Sequence, residues 1–159
     1  MVSNSNSFGG VVTEDWTDPS CPVARTLDLV GDRWSLLVVR DAMDGARSFT
    51  DFQQRTGIAR NILTDRLRRL VDRGVLDRRT APSGRRQVYV LTPAGRDLFT
   101  VVVALRQWGE RHAFAAGEAH SVLVDEHGVP LPPLQARGSD GTLAGVDTTS
   151  VRKVPPPVS

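Results

Sequence analysis

A run of arginines and short polar side chains near the middle of the chain has the chemistry that nucleic-acid recognition uses. Ten arginines and only three acidic residues fall between Arg55 and Arg86, so this segment holds half of all the basic residues. Arginine donates in a planar fork that matches phosphate oxygens and the major-groove edge of guanine, whereas asparagine suits adenine and a carboxylate accepts from cytosine. The charge alone also fits a solvated helix face. The secondary structure that carries these residues must therefore distinguish a DNA-binding surface from a solvated one.

The spacing of leucines assigns most of these side chains to one helix. Leu63, Leu67 and Leu70 recur at helical spacing and define the buried face of a helix from about residue 59 to 73. In helix-turn-helix docking, the N-terminal part of the recognition helix meets base edges in the major groove. We therefore expect DNA contacts from the other face, namely from Arg60, Asn61, Thr64, Asp65, Arg68 and Arg69. The alternative is a surface helix with i,i+4 pairs such as Asp65–Arg69.

A short hairpin is predicted directly after this helix. Strand-like runs at residues 75–80 and 87–91 flank the loop Ala81-Pro82-Ser83-Gly84-Arg85-Arg86. The loop sets Arg85 and Arg86 at an exposed basic tip. Such arginines enter a narrow A-tract minor groove or contact phosphate, and the sequence leaves both interpretations open.

The remaining helices are recognised by their caps and apolar periodicity. Ser20 and Pro22 are suited to starting a first helix that ends at Gly31, and Ser48 with Asp51 forms a capping-box pattern. Helices are expected at about residues 22–30, 33–44, 48–55 and 93–116. With the basic helix and the hairpin, this order predicts a mainly α fold with a small β-hairpin wing, a winged helix-turn-helix.

The long last helix has two apolar stripes and therefore needs two surfaces to bury them. In a small protein the second surface is often another copy of the chain. Together with apolar residues of the first helix, this predicts a homodimer through the first and last long helices, with the interface residues Val23, Leu27, Phe99, Val103 and Phe114.

Composition divides the chain into three parts and limits its class. A flexible arm is expected at residues 1–17, the DNA-binding and dimerisation domain at 18–116, and a Gly/Pro-rich extension, partly ordered at most, at 117–159. No apolar run approaches the ~20 residues that span a bilayer, and the N-terminus lacks the pattern of a signal peptide. We therefore expect a cytoplasmic protein with no membrane partner. The single cysteine excludes an internal disulfide.

Cys21 is the residue that an enzyme would most plausibly use. It stands at a predicted helix N-terminus, where exposed N–H groups favour an anion. A nucleophilic thiol needs a base within reach, and the nearest histidine in the sequence is His112. No phosphate loop, HExxH or GxSxG motif occurs, so the sequence predicts a non-enzyme with no cofactor. Cys21 is interpreted either as a capping residue or as a redox sensor. The histidines His120 and His127 fit a solvated loop, and no metal site is expected.

The chain also resembles the HxlR-type transcription regulators from about Cys21 to Phe114. The motifs that carry the resemblance are Cys21-Pro22, Leu29-Val30-Gly31-Asp32-Arg33-Trp34, Ser48-Phe49-Thr50-Asp51-Phe52, Gly57-Ile58, Leu63-Thr64-Asp65-Arg66-Leu67, Gly74, Tyr89-Val90-Leu91-Thr92-Pro93-Ala94-Gly95 and Trp108. The resemblance implies a homodimer on a near-palindromic double-stranded operator, and a repressor relieved by an electrophile, an oxidant or a small aromatic compound. It also implies a redox role for Cys21.

This chain departs from the family in two places. It has Val88 where the family often has glutamate in the second wing strand, which affects a local ion pair rather than the fold. Some relatives have a cysteine-containing C-terminal extension that looks metal-binding, whereas residues 117–159 contain no cysteine. A DNA-binding protein without sequence preference remains the alternative function, and its affinity would fall with salt equally for all sequences.

Overall fold

A computed structural model describes residues 15–158, which divide into two units between residues 102 and 103. The first unit contains α1 (Pro22–Val30), α2 (Ser35–Met43), α3 (Phe49–Thr56), α4 (Arg60–Asp72), β1 (Leu76–Thr80), β2 (Gln87–Leu91) and α5 (Pro93–Asp97). Helix α6 (Phe99–His112) begins there and continues into the second unit. The predicted winged helix-turn-helix is thus confirmed. None of the helices within residues 15–158 is long and apolar enough to cross a membrane.

The core of the first unit is built around α2, whose buried residues are Ser35, Val38, Val39, Asp41 and Ala42. Val38 and Val39 of α2 are fully buried and belong to one hydrophobic cluster with side chains of α3, α4 and β1. The three leucines of α4 are all buried, so their spacing correctly identifies the inner face of that helix. The fully buried partners of α2 include Phe52, Leu63, Leu67, Leu70 and Leu76. Burial of each such side chain contributes about 1.5–3 kcal/mol.

The two predicted helix starts differ in outcome. The capping box of α3 is confirmed, since the Ser48 hydroxyl accepts from the Asp51 amide at 3.1 Å and the Asp51 carboxylate accepts from the Ser48 amide at 2.9 Å. For α1, however, Cys21 is the N-cap and Ser20 is not. Because Pro22 takes the first helical position, the cap falls on the residue directly before it, and Cys21 Sγ accepts from the Ala24 amide at 3.5 Å.

The single long helix predicted from Pro93 onwards is in fact two helices. Leu98 separates α5 from α6, and its amide donates to the Gly95 carbonyl three residues back at 3.2 Å. This tighter turn interrupts the α-helical ladder. Helix α6 then ends at His112, so Phe114 lies beyond it and does not extend an apolar stripe of the helix.

Helix α5 holds the base of the hairpin. A Cβ atom at Gly95 would lie 2.2 Å from the Val75 carbonyl oxygen, so only glycine permits this approach. The Thr92 hydroxyl accepts from the Gly95 amide at 3.0 Å and lies 2.5 Å from the Gly74 carbonyl oxygen and 3.1 Å from that of Val75. The start of β1 and the end of β2 are therefore fixed to the same short helix.

The second unit consists of the larger part of α6 followed by turns and extended chain. Gln107 of α6 accepts from the Leu134 amide at 2.7 Å and donates to the Pro132 carbonyl at 3.0 Å. Val124 and Pro130 form an isolated antiparallel bridge on either side of the turn at residues 126–128. Pro130 has no amide N–H to donate to a longer ladder.

The segment expected to be a flexible arm lies mostly outside the described residues. Trp16 and Thr17, its last two members, contact α1. Thr17 donates from its amide and its hydroxyl to the Asp28 carboxylate at 3.0 and 2.8 Å, and the Arg25 guanidinium lies over the Trp16 ring. The hydrogen bonds from Thr17 hold the pKa of Asp28 below its ordinary value.

Candidate nucleic-acid interface

The turn between α3 and α4 presents the start of α4 at the surface. Helix α3 ends at Gly57, whose φ of 66° lies in the left-handed region that favours glycine. Ile58 is buried and anchors the turn, and α4 begins after Ala59 without any side-chain cap. The first amides of α4 therefore lack an intrahelical or side-chain acceptor, which suits an anionic partner.

The residues expected to read DNA lie on the exposed side of α4, with Asp65 half-buried. Arg60 and Asn61 occupy its first turn and are exposed. The Arg60 guanidinium lies 4.9 Å from the centre of the Phe49 ring, a cation–π contact that orients it beside the start of the helix. The Thr64 hydroxyl donates to the Arg60 carbonyl at 2.8 Å and keeps only its acceptor capacity for another partner.

Asp65 is surrounded by arginines. Its carboxylate lies 2.8 Å from Arg66 Nη1, 2.7 Å from Arg68 Nη2 and 3.1 Å from Arg69 Nε. The hydrogen bond from Arg68 and the neighbouring positive charges lower the pKa of Asp65, so it is ionised at neutral pH. The i,i+4 pair considered as the alternative is thus present, and Asp65 orders the arginines along this face.

Arg66 and Asp32 form a contact that the sequence interpretation did not include. Arg66 Nε lies 2.8 Å from Asp32 Oδ2, and Asp32 accepts at 3.1 Å from the amides of Trp34 and Ser35 at the start of α2. Partial burial opposes ionisation of Asp32, but hydrogen bonds from the Ser35 hydroxyl and from the Ser35 and Trp34 amides, together with the Arg66 charge, outweigh it and lower its pKa. The Asp32-to-Ser35 spacing is a capping signal that could have indicated the first half of this contact.

The hairpin adds a second basic element beside α4. Arg78 pairs with Tyr89 across the antiparallel ladder, and the two side chains share one face of the hairpin. They line a small cleft of about 310 Å³ together with α4 residues, namely Thr64, Arg68, Val71 and Asp72. Arg78 was not singled out from the sequence, although alternation along β1 could have assigned it to the side of the recognition helix.

The hairpin tip carries the two expected arginines. A tight turn with Gly84 at φ 73° closes the loop, and the Ala81 amide donates to the Arg86 carbonyl at 2.7 Å. Arg85 and Arg86 are exposed, and within residues 15–158 neither forms a salt bridge. Both guanidinium groups are therefore free for an external anion.

The five residues expected at a dimer interface differ in exposure. Val23 and Leu27 on α1, and Phe99 and Phe114, are exposed apolar side chains. Val103 is only 3% exposed, so its side chain is already covered within the chain and is unavailable to a second copy. The exposed stripe of α6 is instead formed by Val101, Leu105 and Trp108.

Cys21 and the histidines are the remaining side chains that could act as a nucleophile or as metal ligands. Cys21 is a half-buried free thiol at the start of α1. His120 packs on Phe114 with ring centres 5.0 Å apart. No group of three or more His, Cys, Asp or Glu side chains between residues 15 and 158 is arranged to hold a metal ion.

The sequence matches known regulators over the segment that carries these features. The family profile described as HxlR-like helix-turn-helix matches residues 29–116. Rv3095 of Mycobacterium tuberculosis, an uncharacterised HTH-type transcriptional regulator, is 47% identical over 91 residues, which are 57% of this chain and 58% of that protein. YdeP of Bacillus subtilis, described in the same words, is 34% identical over 94 residues, which are 58% of this chain and 73% of that protein.

Solved structures of transcription regulators are similar to this chain as well. The crystal structure of PA1607, a candidate transcription factor, has a TM-score of 0.82 and 49% identity, and covers 85% of this chain and 96% of its own. The redox regulator HypR in its oxidised form has a TM-score of 0.55 and 31% identity, with 60% and 100% covered. The reduced form of the transcriptional regulator YodB from Bacillus subtilis has a TM-score of 0.51 and 26% identity, with 58% and 93% covered.

Proposed function

The chain belongs to the HxlR-like helix-turn-helix family of transcription regulators, and we propose that it binds double-stranded DNA sequence-specifically as a homodimer. The observation that carries this proposal is the outer face of α4. Its three leucines are buried, its basic and amide side chains are exposed, and an arginine-tipped hairpin follows it directly. Helix-turn-helix proteins use this combination to place one helix in the major groove.

Different parts of this surface have different tasks in the proposal. Arg60 and Asn61 read base edges from the first turn of α4, as the preferences of arginine for guanine and asparagine for adenine suggest. Arg68 and Arg69 contact phosphate and set the orientation of the helix. Arg85 and Arg86 hold the neighbouring backbone or enter the minor groove.

Dimerisation is proposed from exposed apolar side chains on two helices. Val23 and Leu27 lie one turn apart on α1, and Val101, Leu105 and Trp108 recur at helical spacing on α6. Leu105 and Trp108 are 53% and 60% exposed, and water contact with such large apolar groups favours their burial against a second copy. Two-fold symmetry then implies a near-palindromic operator with half-sites about 10 bp apart, or a multiple of that distance.

Regulation through Cys21 is the remaining part of the proposal. HypR is described as a redox regulator and shares the fold, and Cys21 caps the first helix of this chain. We infer that the protein is a repressor that leaves its operator when Cys21 is oxidised or modified by an electrophile. A disulfide or adduct at the cap adds bulk beside α1, whose exposed face is assigned to the dimer.

The DNA-binding proposal is tested by selecting bound sequences from a random DNA pool, followed by competition binding. The selected operator should resist competition by random DNA, since specific sites usually bind at least about 10³-fold more tightly than non-specific ones. Equal competition by both DNAs would favour the alternative, a DNA-binding protein without sequence preference.

The dimer is tested by sedimentation of two matched variants. Leu105→Glu places a charge in the exposed stripe of α6 and should shift the protein to monomer and weaken operator binding. Thr100→Glu places the same charge at an exposed site of α6 outside the stripe and should remain dimeric. An unmodified protein that sediments as a monomer at micromolar concentration would contradict this part of the proposal.

A further inference from the structure

A second cleft in the first unit is lined by arginines from three separate elements. It measures about 630 Å³, and Arg47 before α3, Arg79 of β1 and Arg96 of α5 lie around it. Its apolar walls come from α2, β2 and the first residue of α6, namely Ala42, Met43, Val90, Leu91 and Phe99. A volume of this size falls within the range of small-molecule sites, about 300–1,000 Å³.

The charge of the cleft has one sign. None of the described residues that line it is acidic. Arg79 has one acidic neighbour, Asp77, whose carboxylate lies 3.3 Å away on the adjacent part of β1. Arg47 is held in place because its Nη1 donates to the carbonyls of Ala42 and Ala46, both at 3.1 Å, which leaves its other donors unused by these contacts. Positive groups brought together without an acid in the lining favour an anionic guest.

The cleft lies on the other face of the hairpin from the DNA-reading surface. Successive residues of a strand point to opposite faces, so Arg79 points away from the face that Arg78 and Tyr89 share. The small cleft on that shared face includes side chains of α4, whereas none of the residues that line the arginine cleft belongs to α4. A guest in the arginine cleft would therefore leave the recognition helix uncovered.

We propose that this cleft binds a small organic anion, a carboxylate carried on an aromatic or other flat apolar body. The carboxylate accepts hydrogen bonds from the guanidinium groups, whose planar shape allows two parallel bonds to one carboxylate. The apolar body contacts the wall formed by Met43, Val90 and Phe99. The guest links the wing through Arg79 to α5 through Arg96. Its effect on operator affinity rests on the proposed function, but its binding does not.

Calorimetric titration of the full chain without DNA tests the binding step, with 2-naphthoate as the probe and 2-naphthamide as its neutral counterpart. Naphthoate should bind at least about tenfold more tightly than the amide, since a hydrogen bond to a charged group is worth more than a neutral one. Arg79→Gln and Arg96→Gln should each weaken naphthoate binding by about tenfold. Arg78→Gln removes the same charge from the opposite face of the hairpin and should leave the affinity unchanged.

The proposal is overturned if naphthoate gives no heat at millimolar concentration, if the amide binds equally well, or if Arg78→Gln weakens naphthoate binding as much as the other two variants do. Thermal unfolding of each variant identifies any that fails to fold. Operator binding of the same variants is measured without naphthoate. If Arg79→Gln and Arg96→Gln weaken operator binding but not naphthoate binding, the cleft holds a DNA phosphate and the small-anion site is wrong. If the parent protein binds all DNA sequences equally, the proposed function is wrong, but the result of the naphthoate titration still stands.

Discussion

The guanidinium of Arg66 lies 2.8 Å from the carboxylate of Asp32 and joins the recognition helix to the start of α2. Asp32 also accepts from the amides of Trp34 and Ser35, so one carboxylate contacts both the start of α2 and α4. On its other side Arg66 contacts Asp65, which in turn pairs with Arg68 and Arg69. The orientation of the arginines on the outer face of α4 is therefore coupled to the start of the central helix.

We expect Asp32→Asn to destabilise the fold by about 1–2 kcal/mol, because it removes a charged acceptor at the start of α2 and leaves Arg66 paired with Asp65 alone. Folding lowers the pKa of Asp32, so the ionised carboxylate adds to the free energy of unfolding. This stabilisation is fully present above the ordinary aspartate pKa of about 4 and is lost as pH falls through the lower pKa of the folded state. Urea unfolding at neutral pH and near pH 3 measures both effects.

Asp44→Asn is the matched control for this prediction. Asp44 pairs with Arg55 at 2.9 Å but its side chain is 84% exposed, and such a surface pair contributes at most about 1 kcal/mol. If the two variants lose the same stability, or if the deficit of Asp32→Asn persists unchanged at acidic pH, the coupling described above does not hold the fold.

Arg60→Ala and Asn61→Ala should each weaken operator binding by about 1–3 kcal/mol and broaden the sequence preference at one position of each half-site. Both side chains are exposed at the start of α4, and Arg60 is oriented by Phe49. Competition binding against single-base operator variants measures the preference. Arg137→Ala, which removes an arginine that bonds to the Gly141 carbonyl in the second unit, should change neither quantity. Normal binding by both α4 variants would mean that another element reads the bases.

Asp65→Asn distinguishes two roles for the same carboxylate. Asp65 was expected to accept from cytosine, but its carboxylate already contacts Arg66, Arg68 and Arg69. We expect the substitution to weaken binding to all sequences alike, because the arginines lose their common partner. A change confined to one base position would instead support direct reading by Asp65. The measurement is the same set of operator variants.

The sequence predicted correctly those elements that short-range patterns define. The leucine spacing of α4, the capping box at Ser48 and the hairpin loop at Gly84 are local patterns, and each gave the right element. The division of the last long helix was missed, because Leu98 is a good helix former and the close approach of Gly95 to Val75 is a tertiary contact that local spacing does not encode. Val103 was assigned outward from helical periodicity alone, which separates two stripes but cannot tell which one the chain covers itself.

In the candidate site, too, the sequence predicted the local features but not the contacts between distant residues. Exposure of Arg60, Asn61, Arg85 and Arg86 follows from local pattern, and the structure agrees with it. The contact between Asp32 and Arg66 joins residues far apart in the sequence, and no periodicity or spacing encodes it. The arginine cleft likewise gathers Arg47, Arg79 and Arg96 from three elements and emerges only once they are packed.

Arg85→Ala and Arg86→Ala should reduce the salt dependence of operator binding more than its sequence preference. Each phosphate contact that is lost should lower the slope of log K against log salt by about 0.9. Both guanidinium groups are exposed at the hairpin tip, so removing them should leave the melting temperature unchanged. Binding measured across a salt series, with A-tract and mixed flanking DNA, separates a phosphate contact from minor-groove entry. Loss of affinity only on A-tract DNA would identify the latter.

Cys21→Ser tests the redox proposal with little structural cost. Cys21 caps α1 by accepting from the Ala24 amide at 3.5 Å, and serine is a preferred residue at this position, so the variant should keep or improve the stability of the helix. The parent protein treated with diamide should lose operator binding and recover it with a thiol reductant. The variant should bind the operator and ignore diamide.

The chemistry limits what the oxidised species can be. Diamide takes two electrons and two protons from two thiols, and the chain contains a single cysteine. The product is therefore a disulfide between the Cys21 residues of two subunits or a mixed disulfide with a small thiol. Non-reducing electrophoresis with and without added glutathione distinguishes the two, since only the first doubles the apparent mass. An intersubunit disulfide also requires Cα atoms within about 7 Å across the dimer. If parent and Cys21→Ser respond alike to diamide, Cys21 is a cap and nothing more, and regulation must enter through a non-covalent ligand.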